Sequence, residues 1–348
     1  MCNRWGFAVL LCGLPALLPA GWAQLAPSPD APPVSTAPAL TEEEPVATLK
    51  LSVSLVDVVF TVKDKSGNLV PHLGKDDCTV SEDKVPQTLK NFAAESHLPL
   101  TLGILLDTSG SQQRVLSLEQ DVGSQFLERV LQKKDEAFLL SFDVDVDLLQ
   151  DYTNSARQLA RAMSHAEINT AGGNGAAGIP GAGGGTIPTI GAPKGTLLYD
   201  AVYLAANQKM SQETGRKAMI LLTDGEDEGS RVKINEAIAA AQKANVIVYT
   251  ILIADRGFYG GFGYSGYSAM KKLTEETGGR LIDVGNNGKK LEAAFQQIED
   301  ELRTEYVVTY TPINTKLDGG FRKLSVECRG DGMKVQVRKG YFALPPQE

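Results

Sequence analysis

Four stretches of the chain are apolar almost without interruption: LTLGILLD (100–107), EAFLLSFD (136–143), KAMILLTD (217–224) and NVIVYTILIA (245–254). Runs of this kind, without in/out alternation, mark strands buried on both faces of a parallel sheet. Helical periodicity lies between and after them. QRVLSLEQDVGSQFLERVL places Val115, Leu118, Val122, Phe126 and Val130 on one face, and KKLEAAFQQIEDELR does the same with Leu291, Phe295, Ile298 and Leu302. Strand–helix alternation over 99–304 predicts a doubly wound, Rossmann-like α/β domain with helices on both faces of a mostly parallel sheet. The flanks differ. Before it, VSLVDVVFTVKDKSGNLV sets Val56, Val58, Phe60 and Val62 on one face of a strand and then turns, and CTVSEDKVPQTLKNFAAE continues in short strands. After it, YVVTYTP, RKLSVEC and MKVQVRKGYF return to β character. The segments 46–98 and 305–348 are expected to pair into one small β-sandwich.

Three segments fit neither pattern. The first 23 residues carry Arg4, a short apolar core (FAVLLCGLPALL) and small residues up to Ala23, the grammar of a cleaved secretory signal. Residues 24–45 are rich in Pro, Ala and Ser and end in an acidic triplet, which predicts a disordered spacer. Residues 171–195 hold ten glycines in 25 positions, too little side chain for a core element. This insertion reads either as a lid or adaptable loop beside the sheet edge or as a tolerated insertion.

Composition narrows the function classes. The chain has 348 residues, is 43% apolar and carries a net charge of −8, which argues against a nucleic-acid binder. Only three histidines occur, widely spaced, so a His-based zinc centre is not expected. An exported chain leaves Cys78 and Cys328 after signal removal. In an oxidising compartment they are candidates for a disulfide, the alternative being two unpaired strand cysteines packed as small hydrophobes.

Candidate chemistry gathers where strands end. The first apolar run closes on Asp107-Thr108-Ser109-Gly110-Ser111, a carboxylate followed by two hydroxyls. Thr196 lies at an expected helix start, and KAMILLTD closes on Asp224. In an open α/β sheet ligands bind at this carboxyl edge. Taken singly, Ser109, Ser111 and Thr196 are ordinary helix caps, the serines for a helix from Gln113. Ser109 as a nucleophile lacks both a Gly-x-Ser-x-Gly elbow and a histidine in a recognisable context. Taken together, two carboxylates and three hydroxyls suit a hard divalent cation, Mg²⁺ or else Mn²⁺ or Ca²⁺. Glu226, Asp227 and Glu228 read either as auxiliary ligands or as a solvated acidic turn.

The order Asp-x-Ser-x-Ser, a distant Thr after glycine, then Asp-Gly resembles the von Willebrand factor type A family and its metal-ion-dependent adhesion site. The resemblance spans about 99–304 and falls on Asp107, Ser109, Ser111, Thr196 and Asp224. The flanks, with EYVVTYTP and KGYF, resemble a narrower group, the von Willebrand factor A-related proteins of exported Acidobacteria sequences. Cys78 and Cys328 depart from that group's usual residues, which favours the bridge.

The resemblance implies a non-enzymatic, adhesion-type protein-binding module whose cation is completed by an acidic residue of a partner. Secreted or periplasmic residence is expected, with no membrane span and no nucleic-acid partner. The alternatives are an envelope assembly protein with the metal edge internally occupied and, more distantly, a serine hydrolase. Phe258, Tyr259, Phe262, Tyr264 and Tyr267 should stand on the same edge, either as a ligand-contacting rim or packed down onto the domain.

Overall fold

The computed structural model describes residues 55–94, 98–168, 195–253 and 266–345. The expected signal and spacer, the glycine-rich insertion and most of the aromatic loop lie outside them. In chain order the first strands are β1 (Val56–Lys63), β2 (Cys78–Glu82), β3 (Val85–Pro86) and β4 (Leu89–Ala94). The α/β part follows as β5 (Leu100–Asp107), α1 (Leu116–Val130), β6 (Glu136–Phe142), β7 (Val146–Thr153) and α2 (Ala156–Ser164). It continues through α3 (Leu198–Leu204), β8 (Arg216–Thr223), α4 (Ile234–Lys243), β9 (Ile247–Leu252), α5 (Gly266–Thr277), β10 (Leu281–Asp283) and α6 (Gly288–Arg303). The last strands are β11 (Tyr306–Tyr310), β12 (Phe321–Cys328), β13 (Lys334–Val337) and β14 (Gly340–Phe342).

The central sheet has the order β10-β9-β8-β5-β6-β7. It is parallel throughout except for β7, which pairs antiparallel with β6. All eight residues of β5 and of β8 are buried. Alternate residues feed opposite cores, as the strand period requires. Leu102, Ile104, Leu106, Ile220 and Leu222 face α1, α2 and α6, whereas Leu105, Met219 and Leu221 face α3, α4 and α5. The apolar stripes of α1 and α6 meet at Phe126 and Phe295, whose ring centroids are 4.6 Å apart. The expected doubly wound α/β domain is therefore present.

The terminal segments interleave. One sheet has the order β13-β1-β11-β4, the other β14-β12-β2-β3, so each contains two early and two late strands. Val58, Phe60 and Val62 of the first sheet share a core with Val80, Leu324 and Val326 of the second, which makes the pair a β-sandwich. Cys78 lies directly opposite Cys328 in the β2–β12 register, and the two form a disulfide across 250 residues of sequence. Cross-linking such distant positions chiefly restricts the unfolded chain, with a ceiling of about 5 kcal/mol.

Buried charges join the sandwich to the α/β part. Glu301 of α6, with a fully buried side chain, takes Lys63 at 2.9 Å and Arg280 at 3.1 Å. Arg338 reaches Asn245 after α4 and the Asp57 carbonyl of β1. Arg216 at the start of β8 donates to the Leu302 carbonyl and pairs with Glu305.

Replacing both Cys78 and Cys328 by alanine is expected to lower the unfolding free energy by about 2–5 kcal/mol. The denaturant midpoint under non-reducing conditions measures this. Native-like spectra before the transition show that the fold itself survives.

Candidate metal centre

Asp107 is the last residue of β5 and is 0% exposed; Asp224 directly follows β8, the neighbouring strand, and is 1% exposed. Each Asp107 oxygen accepts a bond from the chain. Thr223 Oγ1 donates to Oδ2 at 2.6 Å and the Ser109 amide to Oδ1 at 3.0 Å. Burial first, and then the charge of Asp224, pushes the Asp107 carboxyl up to about 7. Two acids placed at one dry edge without a cation resist ionising together.

The serines do not cap a helix. Residues 110–112 form a single 3₁₀ turn for which Ser109 makes no side-chain capping bond, and α1 begins only at Leu116, not Gln113. Instead the Ser109 and Ser111 hydroxyls face one another at 2.9 Å. Thr196 likewise caps nothing. Leu197 holds the cap position of α3, and Thr196 forms an isolated antiparallel bridge with Glu228, both backbone bonds at 3.0 Å. That bridge ties the Thr196 backbone to the loop that begins at Asp224.

Asp143 and Asp200, not singled out from the sequence, act with the acidic run 226–228 to hold these stretches in register. Asp143, at the end of β6, accepts Thr108 Oγ1 on its carboxylate at 2.6 Å and the Leu197 amide on its carbonyl at 2.7 Å. One residue thus fastens the neighbours of Asp107 and of Thr196. Asp227 accepts the Tyr199 amide at 3.1 Å and the Ser230 hydroxyl, while Asp200 accepts the amides of Arg231 and Val232. Glu226 accepts the Gly266 amide at 2.9 Å. The acidic run 226–228 therefore organises loops. Glycine is required where α5 closes on this loop, because a Cβ at Gly266 would stand 2.6 Å from the Gly225 carbonyl carbon. The signal for Asp143 was a carboxylate ending an apolar run, the same signal that marked Asp107 and Asp224.

Of the expected aromatic rim, Phe258, Tyr259, Phe262 and Tyr264 lie outside the described residues. Tyr267 is on the first turn of α5, 45% exposed.

The donor set fits a hard cation. It is all oxygen, two carboxylates and three hydroxyls, and among the described residues no group of three or more His, Cys, Asp or Glu side chains is placed to hold a metal ion. Buried polar atoms close by lack partners. Gln112 Oε1 is one, and both oxygens of Glu119, a fully buried residue of α1, are two more. Burial, and then the charges of Asp107 and Asp224, hold the Glu119 carboxyl well above the usual range.

A doubly wound sheet with an oxygen-lined carboxyl edge defines an α/β domain built to present a polar site at its strand ends. The von Willebrand factor type A domain model matches residues 190–297, so that segment is similar to the family. The matched segment contains Thr196 and Asp224, while Asp107, Ser109 and Ser111 lie on the adjoining strand and turn. Similar solved structures include BatB from Bacteroides thetaiotaomicron, at 17% identity over 59% of this chain and 99% of that one, TM-score 0.43. Proximal thread matrix protein 1 of the mussel byssus, with a zinc-occupied MIDAS motif, matches at 14% identity, 64% and 50% coverage and TM-score 0.45. The PilB minor pilin of Streptococcus sanguinis matches at 13% identity, 60% and 62% coverage and TM-score 0.40. This chain spans about half the mussel protein's length. A comparison with curated proteins returns no match.

The raised Asp107 carboxyl sets a pH trend for the metal-free protein. Between about pH 4, its ordinary value, and about 7, the folded state keeps a proton that the unfolded chain releases. Stability is full below that window and falls as pH rises through it, by something on the order of a few kcal/mol. Glu305, raised to about 7 by burial against the pull of Arg216, adds the same slope. Chelator-treated protein unfolded in denaturant from pH 5 to 8 should show this decline, and Asp107→Asn should flatten it without abolishing it.

Proposed function

We propose that the chain is a non-enzymatic, divalent-cation-dependent protein-binding module of the adhesion type. Asp107, Ser109, Ser111, Thr196 and Asp224 are the residues that would hold the ion, with Mg²⁺ the first expectation and Mn²⁺ or Ca²⁺ the others. The observation that carries this reading is the pair of serine hydroxyls, facing each other and capping nothing, beside two buried aspartates that repel one another. When bound, such an ion supplies a Lewis-acidic position, and an acidic side chain of a partner protein is its natural occupant. The side chains of this protein orient and desolvate that position. Ser109 pairs with Ser111, and the sequence around it carries no Gly-x-Ser-x-Gly elbow that would favour a hydrolase reading.

The module is read as exported, with a leader removed near Ala23, a spacer over 24–45, the α/β domain over 99–304 and the flanking β segments 46–98 and 305–348. No helix among the described residues is long and apolar enough to cross a membrane. Secreted or periplasmic residence fits the leader and the Cys78–Cys328 bridge.

Thermal unfolding tests the metal site directly. Mg²⁺ or Mn²⁺ at about one hundred times its dissociation constant should stabilise the protein by about 2.7 kcal/mol. EDTA should reverse the shift, and Asp107→Ala should lose it. Partners retained on the immobilised protein in Mg²⁺ should elute with EDTA and be missing from the Asp107→Ala column. Retention that is identical with and without chelator sinks the proposal.

A further inference from the structure

A cleft of about 790 Å³ opens between α5 and the β-sandwich, away from the donor set described above. One wall is an exposed stripe of α5, where Tyr267, Lys271 and Glu275 recur every four residues. The other is formed by the end of β1 and its turn, together with β13 and Lys339. Among the described residues six cationic side chains line the cleft: Lys63, Lys65, Lys271, Arg280, Lys334 and Lys339. The acids in its lining are Asp64 and Glu275, in a chain whose net charge is −8. The local sign is therefore opposite to that of the whole molecule.

Not all of this positive charge is neutralised within the chain. Lys63 and Arg280 share the buried Glu301, and Lys271 stands a loose 3.9 Å from Glu275. Asp64 is engaged by its own turn, accepting the Asn68 amide and side chain. Lys65, Lys334 and Lys339 are exposed, and among the described residues none has a carboxylate within ion-pair distance.

We propose that this cleft docks an extended acidic peptide segment of a partner protein, independently of the cation site. Lys271 stands on the α5 wall and Lys65, Lys334 and Lys339 on the sandwich wall, a supply of charge from several elements that suits a chain of carboxylates better than a single phosphate. The α5 stripe alone runs about 12 Å from Tyr267 to Glu275 at 1.5 Å per residue. Leu281, Val335 and Val337 provide apolar lining between the charges. Among the described residues Tyr267 is the sole aromatic in the lining, too few stacking platforms for a single-stranded nucleic acid. Exposed pairs of this kind are individually weak and screened by salt, so binding is the sum of several and falls with ionic strength.

The test uses fluorescein-labelled deca-glutamate and anisotropy, on the whole protein in EDTA. Binding should be measurable at about 50 mM salt and weaken about tenfold or more by 300 mM. The triple variant Lys65→Gln, Lys334→Gln, Lys339→Gln should lose about tenfold in affinity. A control, Lys133→Gln, Lys289→Gln, Lys316→Gln, removes the same charge at exposed sites elsewhere and should change it by less than about twofold. Added Mg²⁺ should leave the affinity unchanged. No binding, an equal loss in both triples, a requirement for Mg²⁺, or equally tight binding of an oligothymidylate of the same charge would each overturn the proposal.

Discussion

The constraint from which the rest follows is the placing of two carboxylates, Asp107 and Asp224, at the ends of adjacent parallel strands and out of reach of water. Their mutual repulsion in a dry setting is tolerable when hydrogen-bond donors, protons or a cation offset it. The chain supplies donors locally. Thr223 and the Ser109 amide hold Asp107, and the Glu226 amide reaches Asp224 at 3.1 Å. These leave Glu119 and Gln112 Oε1 behind the edge without partners.

Around that edge the loops are tied to one another as well as to the sheet. Asp143 links the turn after β5 to the Thr196 segment, the Thr196–Glu228 bridge links that segment to the Asp224 loop, and Glu226 brings in the start of α5. The chain of bonds is closed enough that displacement of one loop disturbs the others. A site assembled from separated segments depends on this, because a donor misplaced by an ångström is no longer a donor.

The β-sandwich serves a different end. Each of its sheets takes two strands from before and two from after the α/β domain, so neither terminal segment completes a sheet alone. Arg338, Lys63, Arg280 and Glu301 then bind it to the helices through buried polar contacts, which cost little only because each charge finds partners. The basic cleft beside α5 lies along this junction and owes its charge to both sides of it.

Much of this was legible in the chain itself. Uninterrupted apolar runs marked β5, β6, β8 and β9 because strands covered on both faces have no polar side to show, and in-and-out alternation marked β1 because one of its faces is covered. The edge strand β7 was less legible, since its pattern is half exposed and bulged against β6. The same signal of an acid closing an apolar run identified Asp107 and Asp224 and could have identified Asp143. Sequence alone thus marked the central buried strands, the apolar stripes of α1 and α6 and the acids that close apolar runs, because these depend on local period and chemistry. Only the tertiary structure decided that Ser109, Ser111 and Thr196 do not cap helices, that Glu119 is buried without a partner and that lysines from β1, β13 and α5 line one cleft. Those are relations between segments distant in sequence, and they arise from how the layers pack.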